Sequence, residues 1–329
     1  MSVYIIAEAG VNHNGDMELA KKLIDKAKEA GADAVKFQAF KTELLVQEHT
    51  PLAPYQERSQ RGSQYEMLKK LEMNETHHRM LLDYAKEKGI DFLTSPFDLD
   101  SIDLIDRLGL PIIKIPSGEI TNLPYLRKIG NLGKKVILST GMSYLFEVAG
   151  AIDVLEASGT TNITLLHCNT EYPTPMDDVN LLAMRTLRDM FDRTVGFSDH
   201  TLGIEASLGA VALGAKVIEK HLTLDRTMEG PDHAASSDPE EFKAMVRGIR
   251  NLEKGLGTGL KRPSESELRN KEAARKSMFA TRDIEIGEEI KASDIAIKRP
   301  GIGLSPMLYD ELVGSRAKRT YKKDEAFEL

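Results

Sequence analysis

Short apolar runs and longer amphipathic segments alternate along most of this chain. Eight runs read as strands: VYIIAEAG (3–10), DAVKFQA (33–39), DFLTSP (91–96), PIIKIPS (111–117), KKVILST (134–140), ITLLHCN (163–169), TVGFSDH (194–200) and KVIEKHL (216–222). Between them apolar residues recur at helical spacing. Residues 17–30 place Leu19, Ala20, Leu23, Ile24 and Ala27 in one stripe, and residues 75–88 do the same with Leu81, Leu82 and Ala85. EAGAD and EKGID put a glycine just past a lysine- or alanine-rich last turn, where helices stop. Eight such units over about 250 residues predict a (β/α)₈ TIM barrel. A doubly wound open sheet is the rival, but it calls for a glycine-rich phosphate loop after the first strand, and AGVNHNGD is not GxGxxG. GLGTG (255–259) follows a helical pattern and reads as a linker or C-cap turn.

From about residue 261 the texture changes. KRPSESELRNKEAARKS is polar and charged, and the rest of the chain consists of short pieces such as SMFATRDI and IAIKRPGIGLS. The predicted organisation is a barrel over 1–260, a linker over 261–276 and a small loop-rich domain over 277–329. A module of that size has little core of its own and leans on its barrel or on a partner chain.

The bulk numbers narrow the classes. The chain has 329 residues, 41% of them hydrophobic, enough for a large core. It lacks an apolar stretch long enough to span a membrane, and MSVYIIAEAG lacks the features of a signal peptide, so a soluble cytoplasmic protein is expected. Cys168 is the single cysteine, which excludes an intramolecular disulfide and fits a reducing compartment. A formal charge of -7, with basic residues scattered among acids, argues against nucleic acid as a partner. An anionic substrate therefore has to be held by local lysines and hydroxyls.

In a barrel of this kind chemistry sits where strands end, and here the strand ends are polar. They offer Glu8; Lys36 and Gln38; Thr94 and Ser95; Lys114, Ser117 and Glu119; Ser139 and Thr140; His167, Asn169, Thr170 and Tyr172; Ser198 and His200; Lys220 and His221, then Asp232 and His233. Any one of these can be a satisfied structural group, but the set converges on one mouth. Lys36 and Lys114, with the hydroxyls of Ser95, Ser117, Ser139 and Ser198, suit a phosphate and a carboxylate. His200 and His221, on neighbouring strand ends, can hold a divalent ion through two imidazoles, leaving coordination positions open, as an exchangeable Mn²⁺ or Mg²⁺ site would. Glu8 and Glu119 are carboxylates among cations, suited to proton transfer or to binding hydroxyls. His13, His167 and Cys168 read as structural.

AEAGVNHNGD, AVKFQAF, KIPSGE, ILSTGM, LLHCNTEYPTP, GFSDHT, IEKHLTLD, GPDHAAS and KRPGIGLSP, in that order, resemble the bacterial sialic acid synthases, which join phosphoenolpyruvate to N-acetylmannosamine. The resemblance runs from residue 3 nearly to the last residue. It implies a barrel followed by an antifreeze-like (SAF) domain in a domain-swapped homodimer, and N-acetylneuraminate plus phosphate as products, with C–O cleavage of phosphoenolpyruvate. It further implies that Lys36, Gln38, Lys114, Ser117, Glu119 and Ser139 surround phosphoenolpyruvate and the sugar, with Ser95, Asn169 and Thr170 among them and Ser198 on the phosphate; Glu119, Lys114 and, from its residue type and place, Glu8 are expected to be catalytic. Tyr172 and Asp232 would contact the acetamido sugar, and Arg299 would reach into the partner's site. His200 and His221 would hold the metal, Mn²⁺ in first place, with Mg²⁺ or Co²⁺ as alternatives. Two departures stand out: TSPF replaces STPF, and HCNTEYP replaces HCTNIYP, so that Thr170 stands where an asparagine is usual.

The nearest alternative keeps the chemistry and changes the acceptor: a legionaminic or pseudaminic acid synthase using a 6-deoxy di-acetamido hexose. PLAPYQERSQ (51–60), Tyr172 and the residues after GPD are where the two would differ. More distant readings are a lysine Schiff-base aldolase, using Lys114 or Lys220, and a non-catalytic carbohydrate- or ice-binding protein.

Overall fold

The computed structural model describes residues 2–52 and 62–328. They fall into two compact units, Met1–Gly257 and Thr258–Leu329. In the first unit the eight expected runs form β1 (Tyr4–Gly10), β2 (Ala34–Ala39), β3 (Asp91–Pro96), β4 (Ile112–Ile115), β5 (Lys135–Ser139), β6 (Ile163–Cys168), β7 (Thr194–Asp199) and β8 (Val217–His221). They form one parallel sheet in the spatial order β3-β2-β1-β8-β7-β6-β5-β4. The two ends of that order, β3 and β4, lie side by side, so the sheet is a nearly closed TIM-like barrel. β4 is shorter than its apolar run because Pro111 and Pro116 bracket it, and neither has an N–H for the ladder.

Side-chain alternation decides what each strand face meets. Ile6, Ala34, Leu93, Ile137, Leu166 and Val217 pack together as one apolar cluster. Their neighbours along the strands, among them Ile5, Val35, Phe92, Val136, Leu165 and Ile218, belong to the larger core shared with the helices. β7 contributes Gly196 beside the first cluster, where even a Cβ would meet the Val217 carbonyl oxygen at 2.4 Å and Leu166 at 2.6 Å. Two residues further along each strand, the same alternation brings up polar groups: Glu8 after Ile6, Lys36 after Ala34, Ser95 after Leu93, Ser139 after Ile137, Glu219 after Val217. A dry floor thus carries a charged upper layer.

The helices start and stop on local chemistry. Asp16 caps Met17–Ala30, accepting from the backbone N–H of Glu18 at 2.7 Å and of Leu19 at 3.3 Å, and Gly31 ends it with φ of 87°. Asn74 and Gly89 do the same for Glu75–Lys88. That second helix also buries His78 completely, with both ring nitrogens lacking a hydrogen-bond partner among the described residues. Burial, with His13 and His77 adding to it, pulls the imidazole from 6.5 down to about 4. Between those values the unfolded chain binds a proton that the folded chain refuses, so stability falls as pH drops through the window, by on the order of 3 kcal/mol for this group. Urea denaturation should show the midpoint falling less between pH 7.5 and pH 5 for His78→Leu than for the parent. Equal shifts would mean that His78 takes up its proton inside the folded protein.

The second unit opens with a helix, Glu265–Ala274, in the segment whose composition reads as a linker. A capping box of Ser264 and Glu267 starts it, and none of its residues is buried. A two-stranded antiparallel sheet comes next, β9 (Ser277–Ala280) with β10 (Ile295–Lys298), over a core that includes Met278, Ile284, Ile290, Tyr321 and Phe327. No helix of the described residues is long and apolar enough to cross a membrane.

Candidate active site

A cavity of about 350 Å³ sits at the ends of the barrel strands. Glu8, Lys36, Gln38, Ser95, Lys114, Ser117, Ser139, Thr170, Tyr172, Ser198, His200, Glu219 and His221 all line it. A larger cavity of about 650 Å³ lies next to it, between the loops after β5 and β6, but among the described residues none that is charged lines that one. The chemistry gathers in the smaller space.

The charged layer is a chain of alternating sign. Lys36 Nζ lies 2.7 Å from Glu8 Oε2, donates to Ser95 Oγ at 2.9 Å and stands 3.7 Å from Glu219 Oε2. Glu219 Oε1 in turn accepts from Lys114 Nζ at 3.1 Å and from Ser198 Oγ at 3.0 Å. Gln38 donates to Glu8 Oε1 at 3.2 Å. Glu8, Lys36, Lys114 and Glu219 are each less than 5% exposed, so the surrounding dielectric is low and these charges interact strongly. Burial pushes the Glu8 carboxyl up to about 7, and the charge of Glu219 adds to the effect against Lys36. Burial also acts on Glu219, yet Lys114 and Lys36 outweigh it and hold that carboxyl below the usual range. For Lys36 too, burial is outweighed by the two carboxylates, and its ammonium is stabilised. Glu219 is therefore the carboxylate of the pair, and Glu8 is the one that holds a proton nearer neutrality.

The two imidazoles stand beside this layer. Their ring centres are 5.4 Å apart, and the Tyr172 ring lies 4.2 Å from His200 and 5.7 Å from His221. His200 donates from Nδ1 to the Asn169 carbonyl oxygen at 2.6 Å. A carbonyl only accepts, so Nδ1 carries the proton and Nε2 keeps its lone pair. His221 Nδ1 is buried without a hydrogen-bond partner among the described residues, 3.8 Å from Asp232 Oδ2. Burial pulls the His200 imidazole down to about 4, and burial together with His200 lowers that of His221 well below its usual value. Both rings are neutral at physiological pH, the form that ligates metal. Among the described residues no group of three or more His, Cys, Asp or Glu side chains is placed to hold an ion. Two neutral imidazoles with an orphaned ring nitrogen fit a divalent cation that keeps open positions, and do not fit a closed four-ligand site.

Four of the residues expected at the site stand apart from this lining. The Asn169 side chain turns away to donate to the Asp178 carbonyl oxygen at 2.8 Å, and only its backbone carbonyl serves the site, through His200. Glu119 is half-buried on the turn behind Ser117 and accepts from Asn122 at 2.6 Å. Asp232 lines an adjoining cavity together with Gln38, Tyr172 and His221. Arg299 belongs to the second unit and is exposed.

Glu219 is the residue that sequence reasoning missed, and the signal was present. In VIEKH the period of two places Val217, Glu219 and His221 on one face and Lys220 on the other. Lys220 indeed points the other way, 3.0 Å from Asp199 Oδ2 and donating to the Thr201 carbonyl oxygen at 2.8 Å. Asp199 also accepts from Ser207 Oγ at 2.6 Å. This outer pair joins the strand ends that carry His200 and His221, and it removes Lys220 from the candidates for a Schiff base. His167 likewise turns outward, to the Val179 carbonyl oxygen at 2.7 Å.

Comparison with known proteins gives the family. A model of the NeuB family matches residues 23–261, and a SAF domain model matches residues 275–327. The chain is 53% identical over 325 residues to the N,N'-diacetyllegionaminic acid synthase of Campylobacter jejuni, covering 98% of this chain and 97% of that protein. It is 48% identical over 322 residues to the synthase of the same name from Legionella pneumophila, covering 96% and 90%. The crystal structure of an N-acetylneuraminic acid (sialic acid) synthetase from Leptospira borgpetersenii superposes with a TM-score of 0.73 at 36% identity, over 82% of this chain and 90% of that one. Barrel, charged strand ends and near full-length similarity lead to one placement: the chain is an enzyme of the NeuB family, the nonulosonic acid synthases, with a SAF domain following its barrel.

Proposed function

We propose that this chain is an N,N'-diacetyllegionaminic acid synthase, condensing phosphoenolpyruvate with a 6-deoxy di-acetamido hexose and releasing phosphate. The choice of acceptor moves from N-acetylmannosamine, first in the sequence reading, to the alternative named beside it. What carries the move is identity: 53% and 48% to the two legionaminic acid synthases, against 36% to the sialic acid synthetase. Residues 53–61, which include most of the stretch expected to separate the two acceptors, lie outside the described residues.

The mechanism follows from the residues in the cavity. Lys36 and Lys114 take the phosphate and carboxylate of phosphoenolpyruvate, helped by the hydroxyls of Ser95, Ser117, Ser139 and Ser198 and by Thr170. The enol carbon C3 forms a bond to the aldehyde carbon of the open-chain sugar. Water adds at C2, and phosphate leaves with its bridging oxygen as the C2–O bond breaks. The incoming water gives up both its protons as its oxygen becomes the C2 carbonyl: one ends on the aldehyde oxygen, now a hydroxyl, and the other leaves with the phosphate. Glu8, with its carboxyl raised into the neutral range, is the group inside the cavity suited to that exchange. Glu119, from the turn beside Ser117, and Gln38, Tyr172 and Asp232 orient the acceptor. His200 and His221 would hold a divalent cation, Mn²⁺ in first place, which when bound supplies Lewis-acid polarisation of the aldehyde.

The same reading has two copies in the working enzyme, with Arg299 of the partner's SAF domain completing the sugar site. The barrel has an apolar rim suited to such a cover: Met142, Tyr144 and Phe146 are each at least 70% exposed, and the two aromatic rings stack 5.6 Å apart.

The test offers phosphoenolpyruvate and Mn²⁺ with each acceptor in turn and reads released phosphate. The 6-deoxy di-acetamido hexose should give the higher kcat/KM. A higher value for N-acetylmannosamine would return the chain to the sialic acid branch, and release only with a phosphorylated sugar would reject both.

A further inference from the structure

The catalytic cavity opens into a second one, of about 280 Å³, and the two share Gln38, Phe97, Tyr172 and His221. An acceptor whose aldehyde reaches the imidazole pair can run its remaining carbons past His221 and Tyr172 into this space. The larger cavity meets the catalytic one at Met142 and Cys168 and touches neither His200 nor His221. Among the described residues the second cavity has Gln38, Tyr172, His221 and Asp232 on the side of the imidazole pair and Gln64 at the start of a helix, and the rest of its wall is mostly apolar. Val11, Phe40, Met67 and Leu71, all buried, form one cluster, with Leu45 and Phe97 packed against it. Met67 and Leu71 come from the inner face of the helix Gln64–Leu71, inserted between β2 and β3, and Phe40 and Phe97 follow the ends of those strands. The Phe40 and Phe97 rings meet edge to face at 6.4 Å.

Against Phe40, Met67, Leu71 and Phe97 a hydroxyl gives up hydrogen bonds to water and finds none from those four side chains, whereas a methyl gains by leaving water. We propose that Phe40, Met67, Leu71 and Phe97 form a subsite for the C6 methyl of a 6-deoxy acceptor, and that this wall ranks acceptors by the substituent at C6. The inference rests on the substrate reading above and refines it, since it assigns the choice at C6 to named side chains. An apolar pocket discriminates against one added hydroxyl by about a hundredfold, and that sets the scale of the effect.

The experiment uses four acceptors with the full-length enzyme: N-acetylmannosamine, its 6-deoxy form, the di-acetamido hexose and its 6-deoxy form. Comparison along the C4 acetamido axis tests the assigned function. Comparison along the C6 axis tests the subsite, whichever C4 group is preferred. The parent enzyme should favour the 6-deoxy member of each pair by about a hundredfold in kcat/KM. Met67→Gln, nearly equal in volume, and Phe97→Tyr should each narrow that preference to about tenfold or less, and Met67→Gln, whose residue lies outside the catalytic cavity, should leave the KM for phosphoenolpyruvate unchanged. If the parent shows no preference along C6, or if both folded variants keep the parent's ratio, the wall does not read C6 and the inference is overturned, even with the di-acetamido preference intact. A C6 preference that narrows in the variants while N-acetylated mono-amido sugars win along C4 would uphold the subsite and reject the assigned acceptor.

Discussion

Replacing either His200 or His221 by alanine should lower turnover by about a thousandfold or more, because in the proposed function each would supply half of the protein's share of a two-imidazole cation site. The expected cost to folding is small and differs between the two. His200→Ala loses the bond from Nδ1 to the Asn169 carbonyl, worth about 1 kcal/mol, and loosens the loop after β6. His221→Ala removes a ring whose Nδ1 is buried without a partner, so the metal-free variant should be at least as stable as the parent. Neither ring belongs to the apolar clusters that hold the barrel together. Electron paramagnetic resonance of added Mn²⁺ gives a readout apart from activity: the parent should bind one ion per chain and the variants should leave it free in solution. Near-normal turnover in either variant, or undiminished Mn²⁺ binding in both, would mean that these imidazoles do something else.

The barrel was legible because its signal is repeated. Eight apolar runs separated by helical stripes and glycine stops leave few architectures, and the observed strands start and end within two residues of those runs. The site was legible in part for the same reason: Lys36, Lys114, Ser95, Ser139, Ser198, His200 and His221 all stand at strand ends, and a barrel directs strand ends to one mouth. Residue type alone was less informative than residue parity. Reading polar groups at strand ends without asking which face each occupies let Lys220 stand beside His221 and overlooked Glu219, although one step along a strand reverses the face. Asn169 shows a different limit. Its side chain was expected at the substrates, yet what it offers the site is a backbone carbonyl, and no property of an asparagine announces that. The apolar wall beyond His221 was hidden for a third reason, since Val11, Phe40, Met67 and Phe97 come from separate segments and look like ordinary core until the fold brings them to one cavity.

Lys114→Met should produce the other large effect, and it should appear in stability as well as in rate. Lys114 Nζ sits 3.1 Å from Glu219 Oε1, and both side chains are about 95% buried. Removing the ammonium leaves a carboxylate with only Lys36, at 3.7 Å, and the Ser198 hydroxyl to offset its desolvation. Breaking a buried pair in this way costs about 3–5 kcal/mol. The double variant Lys114→Met, Glu219→Gln removes the stranded charge while the new side-chain amide keeps an oxygen for the Ser198 hydroxyl, so most of that loss should be recovered. Activity should not follow. Phosphoenolpyruvate carries a phosphate and a carboxylate into a chain whose formal charge is -7, and with one of the two buried lysines gone its kcat/KM should stay down by about a thousandfold in the single and the double variant alike. Urea denaturation of the four members of the cycle measures the first effect, and phosphate release at varied phosphoenolpyruvate measures the second. A double variant that regains activity along with stability would show that Lys114 only neutralises Glu219. One that regains stability alone identifies Lys114 as a charge the substrate itself requires.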